Sequence, residues 1–177
     1  MNLRAPILIA DTSTLLNLYA SDTFEKILTS IEIPVCIVEN VARETQYILR
    51  NGQKEKTVLT SFISNKLLRI VSLESDEEKS SLIEFSREID DGESATGAIA
   101  LHRQWDIATD DKKARTIFAR EIPQSVCVGT ADILHHSAEY FNWDNDTIRL
   151  IIQTIQIQAR FRPRADGPLA PWWYSFL

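Results

Sequence analysis

Short, continuous apolar runs alternate with longer amphipathic stretches along most of this chain, and that alternation narrows the possible folds more than any other feature. Residues 6–10 (PILIA), 33–38 (IPVCIV), 67–73 (LLRIVSL), 106–109 (DIAT) and 125–129 (SVCVG) read as strands. None shows the polar–apolar alternation of a strand with one wet face, so each is expected to be covered on both sides. Helical patterns fill the intervals: residues 13–20, 23–31, about 38–50, 57–64, two between about 74 and 104, and 112–120. The peptide NGQK (51–54) is expected to break the third of these. Strands alternating with helices predict an α/β fold with a central parallel sheet and helices on both faces.

At 177 residues and 44% hydrophobic content, one substantial core in one globular unit is expected. The formal net charge of −6 argues against a protein that coats nucleic acid or anionic membranes nonspecifically, although it leaves room for a local basic groove. The two cysteines, Cys36 and Cys127, lie inside apolar runs and read as core thiols rather than a disulfide framework. The amino-terminal apolar run is too short, and interrupted too early by Asp11, for a signal peptide. No stretch approaches the ~20 apolar residues that span a bilayer. A soluble, cytoplasmic protein without membrane association is the expectation.

In an open parallel sheet, ligands bind beyond the carboxyl ends of the strands. Asp11 follows the first apolar run directly, Asp110 and Asp111 follow DIAT, and Glu93 opens the helix before DIAT. Each has a plain alternative. Asp11 can cap a helix starting near Ser13, Asp90 and Glu93 have capping-box spacing, and Thr109 can cap the helix after it with the two acids in its first turn. Three separate connections nevertheless bring a carboxylate toward one edge of the sheet. Clustered carboxylates repel unless a cation lies between them, and oxygen-only donors suit Mg²⁺ or Mn²⁺. His102, His135, His136 and the cysteines lack the spacing of a zinc site.

These residues resemble the PIN-domain nucleases, a family that includes VapC-like toxins of toxin–antitoxin pairs. LIADTSTLLNL resembles the family's first strand and acid, IPVCIVENVARE its second strand and helix, and DDGESATGAIALH its D-x-G-E-x-x-A-x-x-L segment. TDDKKAR with the later VCVGTADILHHSA resembles the branch carrying T-D-D-x-x-A-R. The resemblance covers about residues 7–138 and implies a three-layer αβα sandwich that hydrolyses RNA phosphodiesters with Mg²⁺ or Mn²⁺. It assigns metal or catalytic roles to Asp11, Glu93 and Asp110, with Asp111 as the adjacent alternative. Where the family usually has another acid, this chain has Asn40, and Glu44 one turn later shares its helix face and can substitute. Thr12 and Ser13 are candidates to orient Asp11 or touch a phosphate, and Lys112 and Lys113 to stabilise phosphate charge; exposed helix lysines are the plainer reading of the last two.

The domain expectation is a nuclease unit over residues 1–145, followed by a helix and aromatic tail over 146–177. Arg149, Arg160, Arg162 and Arg164 make residues 147–165 locally basic, a patch expected to contact RNA phosphates apart from the carboxylates. Ile148, Ile151, Ile152 and Ile155 would bury the same helix. The tail GPLAPWWYSFL carries too much aromatic surface to stand free in water, and is expected on its own domain or on an antitoxin or dimer partner, with a partner preferred. Two other classes compete with a ribonuclease. One is a non-catalytic RNA-binding or protein-interaction module. The other, a haloacid-dehalogenase-like phosphatase, is disfavoured because DTS lacks the D-x-D pair.

Overall fold

The computed structural model describes residues 1–45, 47–50 and 53–177. From the amino end the chain forms β1 (Leu8–Ala10), α1 (Thr12–Tyr19), α2 (Phe24–Ser30), β2 (Val35–Val38), α3 (Glu39–Glu44), β3 (Tyr47–Arg50), β4 (Gln53–Lys56), α4 (Leu59–Ser64) and β5 (Leu68–Val71). It continues through α5 (Asp76–Phe85), α6 (Asp91–Arg103), β6 (Asp106–Ala108), α7 (Lys112–Glu121), β7 (Cys127–Val128), α8 (Thr130–Tyr140), α9 (Asn145–Gln158) and α10 (Ala170–Tyr174).

The five apolar runs become one sheet in the order β5-β2-β1-β6-β7, parallel throughout. Every residue of β1, β2 and β6 is buried, as uninterrupted apolar runs require. The chain steps from β1 outward to β2 and β5, then returns to the other side of β1 for β6 and β7. Right-handed crossovers therefore send the outward and return helices to opposite faces. On one face α8 packs on α2, where Ser137 and Ser30 share a hydrogen bond of 2.7 Å and His136 Nε2 lies 2.9 Å from the Ser30 carbonyl. On the other, Phe85 of α5 meets Phe118 of α7 edge to face. The result is a three-layer αβα sandwich.

Small residues set the depth of α6. Ser94, Ala95, Thr96, Gly97, Ala98 and Ala100 are all buried, and Gly97 passes so close to the Phe118 ring that a Cβ there would overlap it. Buried charges away from the strand tips are matched. Glu78, 3% exposed, accepts from Arg103 Nε at 2.6 Å, which holds its carboxyl down at about 2. Asp106, at the amino end of β6, accepts from the backbone N–H groups of Arg4, Ala5 and Val126 and so ties the chain start to the segment before β7.

One expectation is corrected. The third helix does not run to residue 50: it ends at Glu44, and β3 pairs antiparallel with β4, Arg50 opposite Gln53. The run YILR contains one aromatic and one β-branched residue, and Asn-Gly directly after it is a hairpin signal that outranks the helical periodicity. Asn51 and Gly52 themselves lie outside the described residues. The aromatic tail is taken up by the chain itself: Trp173 is wholly buried, Phe176 joins the same core, and Trp172 stands edge-on to His135. Ile148, Ile151, Ile152 and Ile155 bury α9, and Arg160 adopts φ 55°, the left-handed conformation that ends a helix and redirects the chain.

If Gly97 is required by the Phe118 ring, Gly97→Ala should lose about 1–3 kcal/mol in urea unfolding despite the better helix propensity of alanine. Adding Phe118→Leu should recover part of that loss, giving a favourable coupling between the two sites.

Candidate active site

Ala10 of β1 lies opposite Ala108 of β6, so the two strand tips stand side by side where the strand order reverses. That is the crevice in which open parallel sheets bind ligands. The Asp11 N–H donates to the Ala108 carbonyl (2.9 Å), which fixes the main chain as it leaves the sheet. The Asp11 carboxyl is 2% exposed and caps α1 by accepting from the Thr14 N–H at 2.8 Å. It also accepts from the hydroxyls of Ser13 and Thr109. Burial still pushes its pKa up to about 6; these hydrogen bonds oppose that rise, and the nearby negative charge of Asp110 adds to it.

Asp110 is half-buried and is held from two other connections, those that open α1 and α8. It accepts from Asn17 Nδ2 of α1 at 3.0 Å, from the Thr130 N–H at the start of α8 at 2.9 Å, and from the Thr130 hydroxyl. Thr14 Oγ1 lies 3.3 Å away. Gly129 makes the approach possible, because a Cβ there would stand 2.6 Å from Asp110 Oδ1. Arg115 donates to the carbonyls of Thr109 (3.0 Å) and Cys127 (3.1 Å), joining the ends of β6 and β7. Asp132 accepts from the Gly129 N–H at 2.8 Å.

The adjacent acids divide their work. Asp110 faces the crevice, whereas Asp111 caps α7 by accepting from the Ala114 N–H at 2.8 Å. Asp111, and not Thr109, is therefore the N-cap. Glu93 sits half-buried in the first turn of α6, its backbone N–H held by the Asp90 carboxylate at 2.9 Å. Burial raises its pKa to about 7, reinforced by the charges of Asp90, Asp111 and Asp11. Glu44, at the end of α3, accepts from the Thr12 hydroxyl, and its carboxylate lies 3.4 Å from the position a Cβ on Gly92 would take. It thus stands between the starts of α1 and α6. Asn40 lies one turn back, accepting from Arg43 at 3.4 Å.

Among the described residues no ion pair neutralises Asp11, Glu93 or Asp110. Nor, among them, do three His, Cys, Asp or Glu side chains stand close enough to grip one ion between them. The donors available are oxygens only, in a crevice that disfavours their charge. That set fits Mg²⁺ or Mn²⁺, which is commonly held by one or two carboxylates with water completing the shell. It does not suit zinc. His102 bonds to Ser81, His135 packs on Trp172, His136 meets the Ser30 carbonyl, and burial pushes the Cys127 thiol up to about 11.

The basic segment is not apart from the carboxylates, as expected from sequence, but adjoins them. Arg162 and Arg164 line a cavity of about 560 Å³ together with Asp110, Lys112 and Arg115. Arg164 is paired there with Asp166 at 2.6 Å, and Arg160 is not among the lining residues. Lys112 and Lys113 are exposed on α7. Sequence reasoning missed Asn17, Thr130 and Gly129 as the supports of Asp110. The one available signal was Gly-Thr directly after the last strand; Asn17 within LLNLY gave none.

A family model described as a PIN domain matches residues 7–164. No curated protein and no solved structure matches the chain. Among the described residues no helix is long and apolar enough to cross a membrane.

The raised pKa of Asp11 fixes the sign of a stability effect. Because the folded state binds this proton more tightly than the unfolded chain, metal-free stability should fall as pH rises from about 4 to about 6 and stay lowered above that. Asp11→Asn, which keeps the cap acceptor, should therefore stabilise the protein in EDTA at pH 8 by about 2–3 kcal/mol and give no gain at pH 4. Chemical unfolding at the two pH values measures the difference.

Proposed function

The chain belongs to the PIN-domain family, a nuclease family that generally uses divalent metals, and on that premise we propose that it is a Mg²⁺- or Mn²⁺-dependent endoribonuclease acting at the β1–β6 crevice. The observation that carries this reading is the meeting of Asp11 and Asp110 at adjacent strand tips, with Glu93 nearby and no cation paired to any of them among the described residues. Asp11 and Asp110 would hold the ion. When bound, such an ion neutralises the carboxylates, polarises a phosphate oxygen and makes water acidic enough to attack phosphorus.

The chain's own residues supply the rest. Thr109 and Ser13 orient Asp11, while Asn17 and Thr130 orient Asp110, so neither carboxylate must reorganise as substrate arrives. Glu93, with its pKa raised to about 7, suits the removal of a proton from water near neutral pH. Glu44 stands on the rim as the substitute for the acid that Asn40 replaces, and Thr12 orients it. Lys112 and Arg162 face the approach of a phosphate chain. We extend the proposal to the toxin half of a toxin–antitoxin pair on the resemblance of TDDKKAR and its neighbours; an adjacent gene for a small antitoxin-like protein would support that part.

A second reading, a non-catalytic RNA-binding module, is favoured by Asn40 and by the lack, among the described residues, of three acids close enough to share one ion. Binding of RNA by the unmutated protein without Mn²⁺-stimulated cleavage would select it.

Asp11→Asn and Asp110→Asn should each abolish Mn²⁺ binding in calorimetric titration of the folded variants and, with it, cleavage of a defined RNA. Unchanged affinity in both would overturn the shared ion. Glu93→Gln should lower turnover about a hundredfold or more. On the same RNA, Glu44→Gln should impair cleavage severely, whereas Asn40→Glu should leave it intact or raise it; wild-type turnover in Glu44→Gln would reduce Glu44 to a helix-surface residue.

A further inference from the structure

The cavity that ends at Asp110 is larger and less polar than phosphate or a hydrated ion requires. Its volume of about 560 Å³ falls within the usual range for small-molecule sites. One wall is the segment 161–169, which presents Phe161 and Leu169; facing it are Ala119 of α7 and the start of α8. The cations Lys112 and Arg162 stand at the same cavity. An apolar aromatic wall beside cations, with a candidate catalytic acid at one end, matches the chemistry of a nucleobase joined to its phosphate.

We propose that this cavity is a subsite for one unpaired nucleotide of an RNA strand, its base against Phe161 and Leu169 and its phosphate toward Lys112 and Arg162. The proposal rests on the nuclease reading for the position of the cut, but not for the binding itself. The wall is preorganised. Phe161 meets the wholly buried Trp173 edge to face at 5.4 Å, the Tyr174 hydroxyl donates to the Pro163 carbonyl at 2.9 Å, and the Gly167 N–H donates to the Arg164 carbonyl at 2.9 Å. A base entering it finds a surface already ordered, so little conformational freedom is lost on binding. The base must be unpaired to fill the recess, and a single strand supplies one without the unstacking and unpairing cost that a duplex would impose. The charges present favour a nucleotide over a purely apolar occupant. Arg164 is held by Asp166, and Lys112 lies close enough to lower the Asp166 pKa. Arg162 has no such partner among the described residues, leaving its guanidinium open to phosphate.

The test uses the full chain in EDTA, where no metal-dependent cleavage interferes, with a short single-stranded oligoribonucleotide and a nucleoside 5′-monophosphate as probes. Ala119→Trp, at an exposed position on α7, fills the cavity without touching the carboxylates, and Arg162→Gln removes the open cation. Each should weaken oligomer binding, Ala119→Trp by about tenfold. The monophosphate should perturb the amide resonances of residues 119, 161 and 169 in the unmutated protein and not in Ala119→Trp. Asp11→Asn should keep these perturbations while losing cleavage. Perturbations at 119, 161 and 169 in a protein that never cleaves RNA would retain the subsite and overturn the nuclease reading. Cleavage with unchanged oligomer binding in both cavity variants would do the reverse. A monophosphate bound as tightly as the oligomer, or a protein partner protecting the cavity while RNA does not, would overturn an RNA strand as the occupant.

Discussion

The parallel pairing of β1 with β6 is the constraint from which the rest of this molecule follows. It sets Ala10 beside Ala108, lets the Asp11 N–H close on the Ala108 carbonyl, and thereby puts Asp11 and Asp110 at neighbouring exits from one sheet. The same pairing is where the chain reverses direction through the sheet, so the helices leaving the two strands diverge to opposite faces and a crevice opens between them. The supports of Asp110 then come from elements starting at neighbouring tips, Asn17 from α1 and Thr130 from α8, while Arg115 of α7 fastens the ends of β6 and β7 beside them. A shift of register by one residue would separate the acids and turn the strand side chains to the wrong face at once.

Buried acids in this protein fall into two kinds. Glu78 is matched by Arg103, and Asp106 by three backbone N–H groups; both charges are balanced where they lie, and both tie distant parts of the chain together. Asp11 and Glu93 are different. Hydrogen bonds only partly offset the loss of water around Asp11, and Glu93 is half-buried beside other acids with no cation paired to it among the described residues, so both pKa values rise. A chain selected only for stability has little reason to keep such groups, since neutral isosteres in the same positions would remove the repulsion. Strongly perturbed groups in a cleft are therefore a functional signal, and the contrast with Glu78 shows that burial alone is not what distinguishes them.

Much of this was legible in the sequence, and the boundary of legibility has physical causes. The strands are readable because burial on both faces forces an unbroken apolar run; Asp11 and Asp110 stand out as candidates because they directly follow such runs, and Glu93 because it opens the helix before DIAT. The division between Asp110 and Asp111 is not readable, since either acid can cap a helix and only the backbone decides which side chain points inward. The β3–β4 hairpin is hard to read because a short run such as YILR fits helical and strand periods alike, and an Asn-Gly pair can break a helix as well as turn a hairpin. Asn17 and Thr130 are invisible as site residues because their role is to hold Asp110 across 93 and 20 residues of sequence, which no local pattern encodes. The basic segment was correctly seen as basic, but its place beside Asp110 depends on how α9 packs and where Arg160 turns the chain.

That turn resolves the tension between an acidic chain and an anionic substrate. A net charge of −6 is a property of the whole surface, whereas charges in salt solution act over about 8 Å. What a phosphate chain meets is therefore set by the few side chains beside the crevice. Burial of α9 by its isoleucines, the left-handed Arg160 and the anchoring of Trp173 in the core together carry the segment 161–169 back across the end of the sheet. Arg164 is paired with Asp166, so in the proposed reading the local attraction rests on Lys112 and Arg162. The aromatic tail thus acts through packing: by burying Trp173 it fixes where Phe161 and Arg162 stand relative to Asp110, so that in the proposed reading a chain acidic overall presents cations beside the crevice.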